Sequence, residues 1–213
     1  MLASLPLFGQ GFLLTIALCL VSVSGSLVLG TVIGVCRVSP VPVLRWAGTG
    51  YVELLRNLPP LLILLFVFFA LPRWGIVLDP FPSAAIGLSV YGGAFVAEAV
   101  RGGILSVSPA QVEAARALGL GYLGTLRYVV LPCAFVAALP SLTTVAITLI
   151  KTTALAGAIG VVELMSQTKS VQASTFQIFE AYGVAAALYL AVIGPLSLAS
   201  AALERRQLRL LHG

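Results

Sequence analysis

The sequence predicts an all-α membrane protein with about five transmembrane helices and a two-helix hairpin on the cytoplasmic side. Three observations predict it. Apolar residues fill 60% of the 213 positions and charged residues only 9%, with a mean hydropathy of +1.09, whereas a soluble domain carries about 25% charged residues. Apolar runs long enough to cross hydrocarbon recur along the chain. Between Pro109 and Pro132 a charged island, containing Glu113, Arg116 and Arg127, interrupts them. No segment outside the runs is long and polar enough to build an aqueous core, so residues 1–213 are expected to form a single transmembrane domain.

The first crossing is Gly11 to Cys36, 26 residues without a charge, more than the ~20 a spanning helix needs. No basic residue precedes it and it is too long for a signal h-region, so it reads as a retained crossing. The second run lies between Arg56 and Arg73 and is short unless the Tyr51 to Asn57 stretch continues into it as helix; Pro59 and Pro60 suit a helix start or a kink. The third run lies between Asp79 and Glu98. The fourth lies between Arg127 and Lys151, begins after Pro132, and contains Pro140. The fifth, between Glu180 and Glu204, contains Gly194 and Pro195, where neighbouring helices have to satisfy the freed carbonyl. Between the last two, Thr152 to Phe179 is more polar and reads as short surface helices or a partly re-entrant segment.

Five crossings put the termini on opposite sides, so the distribution of basic residues sets the orientation. With the N-terminus outside, the inner face holds Arg37, Arg45, Arg56, Arg101, Arg116, Arg127, Arg205, Arg206 and Arg209, and the outer face Arg73, Lys151 and Lys169. The C-terminus is then cytoplasmic. The net charge of +5 is accounted for by these topological signals and calls for no nucleic acid. Cys19, Cys36 and Cys133 have neither metal-ligand spacing nor an even count and read as free, lipid-buried thiols. His212 reads as a solvated tail residue.

With that topology the connection of about 101–131 faces the cytoplasm. Ser108 suits an N-cap, Pro109 the first helical position, and Gln111 a capping box. Glu113, Ala114, Ala115, Arg116 and Ala117 continue on strong helix formers, and Gly119 with Gly121 offers the left-handed backbone that ends a helix. A second short helix from Tyr122 to Val130 is expected to stop at Pro132. Small alanines allow another surface to approach the backbone, and Glu113 and Arg116 supply charges that fix register, which is how a docking knob is built. The competing reading is an amphipathic loop lying on lipid headgroups.

Glu113-Ala114-Ala115, Gly119, and Val129 with Leu131 and Pro132 resemble the EAA signature of bacterial ABC-importer permeases. Tyr91, Ala97-Glu98, Arg101-Gly102-Gly103-Ile104, Ser106, Gln111 and Ala117-Leu118-Gly119-Leu120 look like the longer version found in permeases for polar amino acids. Tyr51-Val52-Glu53-Leu54 with Arg56 and Pro59, and Lys151 with Thr153 and Leu155, extend the resemblance over about Gly11 to Arg205. Asn57-Leu58 stands where the family usually has Gly-Thr, Ala110 where a glycine is usual, and Lys151 to Leu155 lacks the acidic or amide residue and the serine. These departures leave the substrate open.

The resemblance implies a MetI-like permease fold in the bacterial cytoplasmic (inner) membrane. It implies two permease subunits, alike or different, an ATP-binding cassette ATPase dimer beneath them, and an extracytoplasmic binding protein that delivers an amino acid. Glu113, Ala114, Ala115, Arg116, Gly119, Leu131 and Pro132 are then the ATPase-coupling residues. The chain has no Gly-x-x-x-x-Gly-Lys-Ser/Thr loop, so ATP and magnesium are expected on the partner ATPase and no cofactor or metal on this non-catalytic subunit.

Ionisable residues near membrane depth are candidates for the substrate pathway: Lys151, Glu53 and Glu98. Against this, Glu98 could pair with Arg101, Glu53 with Arg56, and Lys151 could snorkel to headgroups. Ser26, Gly30 and Gly34 suit close helix packing within the subunit. Phe66, Phe68 and Phe69 read as lipid-facing, and Trp46 and Trp74 as interfacial. An ion-coupled secondary transporter would need mid-span coupling-ion carboxylates, commonly with paired repeats, and neither is seen. A membrane enzyme would need a catalytic constellation, against which the single terminal histidine argues; a non-transporting structural subunit is the remaining alternative.

Overall fold

The computed structural model describes the backbone of residues 4–212 and the side chains of residues 4–205. The side chains of Arg206, Arg209 and His212 lie outside the described residues. The apolar runs become four long helices: α1 (Leu5–Val38), α4 (Pro80–Leu105), α7 (Leu131–Thr152) and α9 (Ile178–His212). Each meets the length and apolarity a crossing requires. At 34 residues, α1 is about 51 Å long, longer than the hydrocarbon it crosses.

The fifth candidate crossing is a bent pair. Helix α2 (Pro42–Asn57) ends where Leu58 and Pro59 go extended, and α3 (Pro60–Leu65) sets off at 108° to it, continuing through a π turn and a 3₁₀ turn to Trp74. The residue before a proline is pushed out of the helical region, and here two successive prolines force two extended residues. Asn57 Nδ2 donates to the Glu53 carbonyl at 2.7 Å, closing the end of α2. The Tyr51 to Asn57 stretch therefore does not prolong the second crossing, which has about 22 Å of helix.

Helix α4 is the centre of the bundle, packed lengthwise on α1 and against α2, α3 and α7. Its small residues make this possible, since without a hydrophobic drive between helices in lipid, close backbone approach supplies the association. A Cβ on Gly30 would stand 2.5 Å from Val96 Cβ and 2.6 Å from the Gly93 carbonyl oxygen, so the small residues of α1 pack within the subunit, as expected. Ser26 Oγ donates to the Ser89 carbonyl at 3.2 Å across the same seam. Gly30→Val is expected to cost about 3 kcal/mol by overpacking, read as a lower unfolding temperature of the detergent-extracted protein; an unchanged temperature would mean the helices can part freely.

The segment after α7 is packed, not loose. A 3₁₀ turn (Thr153–Ile159) leads to α8 (Leu164–Thr175), which lies against α1 and α9 and buries Leu164, Thr168 and Val171. Phe66 and Phe69 are exposed, but Phe68 packs on the main apolar cluster around Leu64 and Leu88. Trp46 and Trp74 are both exposed. The three cysteines are free; Cys19 is buried, while Cys36 and Cys133 are half-buried.

Candidate functional site

The polar island folds as a helical hairpin joining α4 to α7. Pro109 opens α5 (Pro109–Ala117) at its first turn. The capping box does not form: the Ser108 side chain makes no capping bond, and it is the Ser108 carbonyl that accepts from Gln111 N at 3.1 Å. Helix α5 ends on Gly119 at φ +85°, where an L side chain would be strained, with Leu120 N returning to the Ala115 carbonyl. Gly121 has φ −68° and serves as the residue before the next helix.

The second arm differs from expectation in a way that matters. Helix α6 (Tyr122–Thr125) runs through a π turn (Leu126–Val130) directly into α7, and the Leu131 N–H reaches back to the Leu126 carbonyl. Pro132 therefore does not stop this helix. A proline ring collides with the carbonyl four residues earlier and supplies no donor; widening the preceding turn to a five-residue spacing accommodates it without breaking the rod. From Tyr122 the chain runs through α6, the π turn and α7 into the 3₁₀ turn ending at Ile159 with no loop between them.

Glu113, Ala114, Arg116, Ala117 and Gly119 are exposed on the hairpin. Ala115 is not: it is 4% exposed and packs inside the turn, so its small size serves the hairpin rather than an approaching surface. The hairpin and the turn after it also carry exposed apolar side chains, Leu118 at 84%, Leu123 at 75% and Tyr128 at 66%. Large apolar groups facing outward from the most polar part of a chain mark a contact surface.

Beside the hairpin, between α4 and α7, lies a cavity of about 930 Å³ lined by Arg56, Phe95, Glu98, Ser106, Gln111 and Cys133 among others. Of the three pathway candidates only Glu98 lines it; Glu53 and Lys151 are exposed elsewhere. Glu98 pairs with Arg101 as expected, with Nη2 at 2.5 Å and Nε at 3.2 Å from Oε1. Its Oε2 accepts from Arg37 Nη1 and lies 3.8 Å from Arg56 Nη1. Arg56 thus turns to Glu98 and not to Glu53, drawn by the Phe95 ring, over which its guanidinium sits at 5.5 Å. Arg37 counts as a topology signal in the sequence; its place in a four-residue charge node depends on α1 meeting α4, which no local spacing reveals.

Glu163 is a second residue that sequence reasoning passes over. It is fully buried where α1, α8 and α9 meet, accepting from Met165 N at 2.8 Å, Ser166 N at 2.7 Å and the Tyr189 hydroxyl at 3.4 Å. Glutamate is not a favoured N-cap, so only its place before Leu164 could have hinted at this role. Burial pushes its carboxyl above the ordinary 4.5, opposed by the Met165 and Ser166 N–H groups, the Tyr189 hydroxyl and the charge of Lys169. The folded chain then holds more protons than the unfolded one between 4.5 and the raised value, and Glu163 contributes less stability as pH rises through that window. Acidification from pH 7 toward 4.5 is expected to stabilise the wild type relative to Glu163→Gln in thermal unfolding; parallel curves for the two would remove this linkage.

The chain as a whole is matched by other proteins. The family described as "Binding-protein-dependent transport system inner membrane component" matches residues 26–209. The chain is 38% identical to the probable glutamine ABC transporter permease protein GlnM of Bacillus subtilis (strain 168), over 94% of this chain and 93% of that one. It is 34% identical to the glutamine transport system permease protein GlnP of Escherichia coli (strain K12), over 95% and 94%. An amino acid ABC transporter crystallised with histidines shares the fold at a TM-score of 0.85 with 32% identity, covering 97% of this chain and 96% of that one. The MetNI methionine ABC transporter in an inward-facing form gives 0.78 at 22% identity, over 95% and 96%, a likeness of fold alone. Matched along nearly its whole length in sequence and in helix arrangement, the chain belongs to the family of binding-protein-dependent transport system inner membrane components.

Proposed function

We propose that this chain is the permease subunit of an ATP-driven amino-acid importer, with its N-terminus outside and the α5–α6 hairpin in the cytoplasm. The observation that carries the reading is that the second arm of the hairpin runs from Tyr122 through the π turn straight into α7 with no intervening loop, so a force applied to the hairpin is delivered into the crossing. A partner ATPase dimer binds and hydrolyses ATP and grips the hairpin through Glu113, Arg116 and the exposed Leu118 and Leu123. A second permease subunit completes the path, and an extracytoplasmic binding protein supplies the solute. ATP binding favours one of two arrangements of the rods and its hydrolysis the other, so the membrane path opens alternately to each side. Glutamine, cystine and glutamate permeases among the relatives make those three amino acids the first solutes to test, with the cavity beside Glu98 as part of the path.

Two measurements test it. Proteoliposomes carrying the permease, its ATPase and its binding protein should accumulate one of the three radiolabelled amino acids only with ATP; accumulation driven instead by an ion gradient would replace this reading. For orientation, a cysteine at the exposed Ala114 should react with an impermeant maleimide in inside-out vesicles and not in right-side-out ones, in a background lacking the three native cysteines. The opposite pattern would invert the topology and detach the hairpin from any cytoplasmic ATPase.

A further inference from the structure

The charge node around Glu98, of which Glu98 and Arg56 line the cavity between α4 and α7, is unevenly shared. Three guanidinium groups, from Arg37, Arg56 and Arg101, face a single carboxylate. Both oxygens of that carboxylate already have close partners: Oε1 takes two bonds from Arg101, and Oε2 takes Arg37 Nη1. Arg56 is left at 3.8 Å, beyond hydrogen-bond reach, with its side chain 44% exposed. It is nevertheless held in place, because its guanidinium sits over the Phe95 ring. Among the described residues lining the cavity Arg56 is the one cation, and apart from Glu98 the remaining polar groups, such as Ser106, Ser141 and Gln111, are neutral.

A guanidinium presents five donors in a planar fork matched to a carboxylate. Here the fork is oriented by an aromatic ring, its nearest anion takes closer bonds from two other guanidinium groups, and it lines an open space large enough for an amino acid. We propose that Arg56 is the anion-reading group of this cavity and takes the carboxylate of the solute in transit, an assignment that rests on the chain being a solute permease. Glu98 then acts as a positioning residue: its carboxylate takes its close bonds from Arg37 and Arg101 and holds Arg56 beside the cavity at 3.8 Å, at ion-pair but not hydrogen-bond distance.

Cys133 lines the same cavity and supplies a reporter. In the assembled transporter, with Cys19→Ala and Cys36→Ala in this chain and cysteine-free partners, Cys133 is modified by an anionic sulfonate-bearing or a cationic trimethylammonium-bearing methanethiosulfonate. Each rate is normalised to that with free cysteine. The anionic reagent is expected to be favoured, and Arg56→Gln to lower the anion-to-cation ratio roughly fourfold, as removal of one charge across a partly solvated cavity should. Arg56→Lys should keep the ratio. Whichever of L-glutamine, L-glutamate or L-cystine the wild type takes up should slow modification, its carboxamide derivative should not, and Arg56→Gln should abolish the protection.

An unchanged ratio and intact protection in Arg56→Gln would overturn the assignment. Anionic lipid is the other source of this chemistry: if phosphatidylglycerol in nanodiscs protects Cys133 in an Arg56-dependent way and the amino acid does not, the ligand is a headgroup and the solute assignment falls. Failure of the functional reading looks different, as a wild-type transporter that takes up none of the three amino acids.

Discussion

Glu113→Lys should leave the protein folded in the membrane while ATP-driven uptake falls about 100-fold or more. The first half follows from its surroundings: Glu113 is exposed on α5 and has no ion pair among the described residues, and surface substitutions of that kind change stability by roughly ±0.5 kcal/mol. The second half follows from the proposed docking. Reversing a charge that sets register across an interface brings like charges together, a penalty of several kcal/mol, and each 1.4 kcal/mol is a factor of about ten. The measurement pairs uptake in proteoliposomes with ATP hydrolysis by the same preparation: hydrolysis should persist while uptake is lost. Gly119→Asp should behave similarly through a different cause, since φ +85° strains any L side chain and alters the turn between the two arms. Full uptake in both variants would mean the hairpin is not the coupling element, and loss of the protein from the membrane would mean it is structural.

What the sequence made legible was whatever local chemistry decides. The crossings show in composition alone, because a backbone in lipid must satisfy its own hydrogen bonds and announces this with long apolar runs. Gly119 as a helix terminator and Pro109 as a helix opener were readable for the same reason: each acts on its own residue's dihedrals. Pro132 was misread because its effect depends on the preceding turn, and a π turn at Leu126 to Val130 absorbed it. The burial of Ala115 was not legible because helix propensity does not say which face of α5 the hairpin turns inward. Least legible was the charge node, where Arg37 and Glu98 lie 61 residues apart. The i, i+3 pairing of Glu98 with Arg101 could be inferred from spacing, whereas the capture of Arg56 from Glu53 required knowing that α2 crosses beside Phe95.

That node yields the second large effect. Glu98→Gln is expected to destabilise the bundle by about 2 kcal/mol, and the reason is what remains and not what is removed. Arg37 is only 11% exposed and its Nε, with no partner, is already buried; without the carboxylate its charge has no counterpart in a poorly hydrated seam between α1 and α4. Breaking a fully buried pair by removing one partner costs about 3–5 kcal/mol, and the 30% exposure of Glu98 admits enough water to reduce that. The same argument fixes the sign of the double change. Replacing both Arg37 and Glu98 with leucine removes the orphaned charge together with its partner, so the double variant should be more stable than Glu98→Gln, with Arg101 and Arg56 free to turn toward solvent. Thermal unfolding of the detergent-extracted wild type, Glu98→Gln and the double leucine variant, compared side by side, measures both. A double variant no more stable than the single one would show that the carboxylate holds α4 through Arg101 alone, and that the contact across to α1 is incidental to the fold.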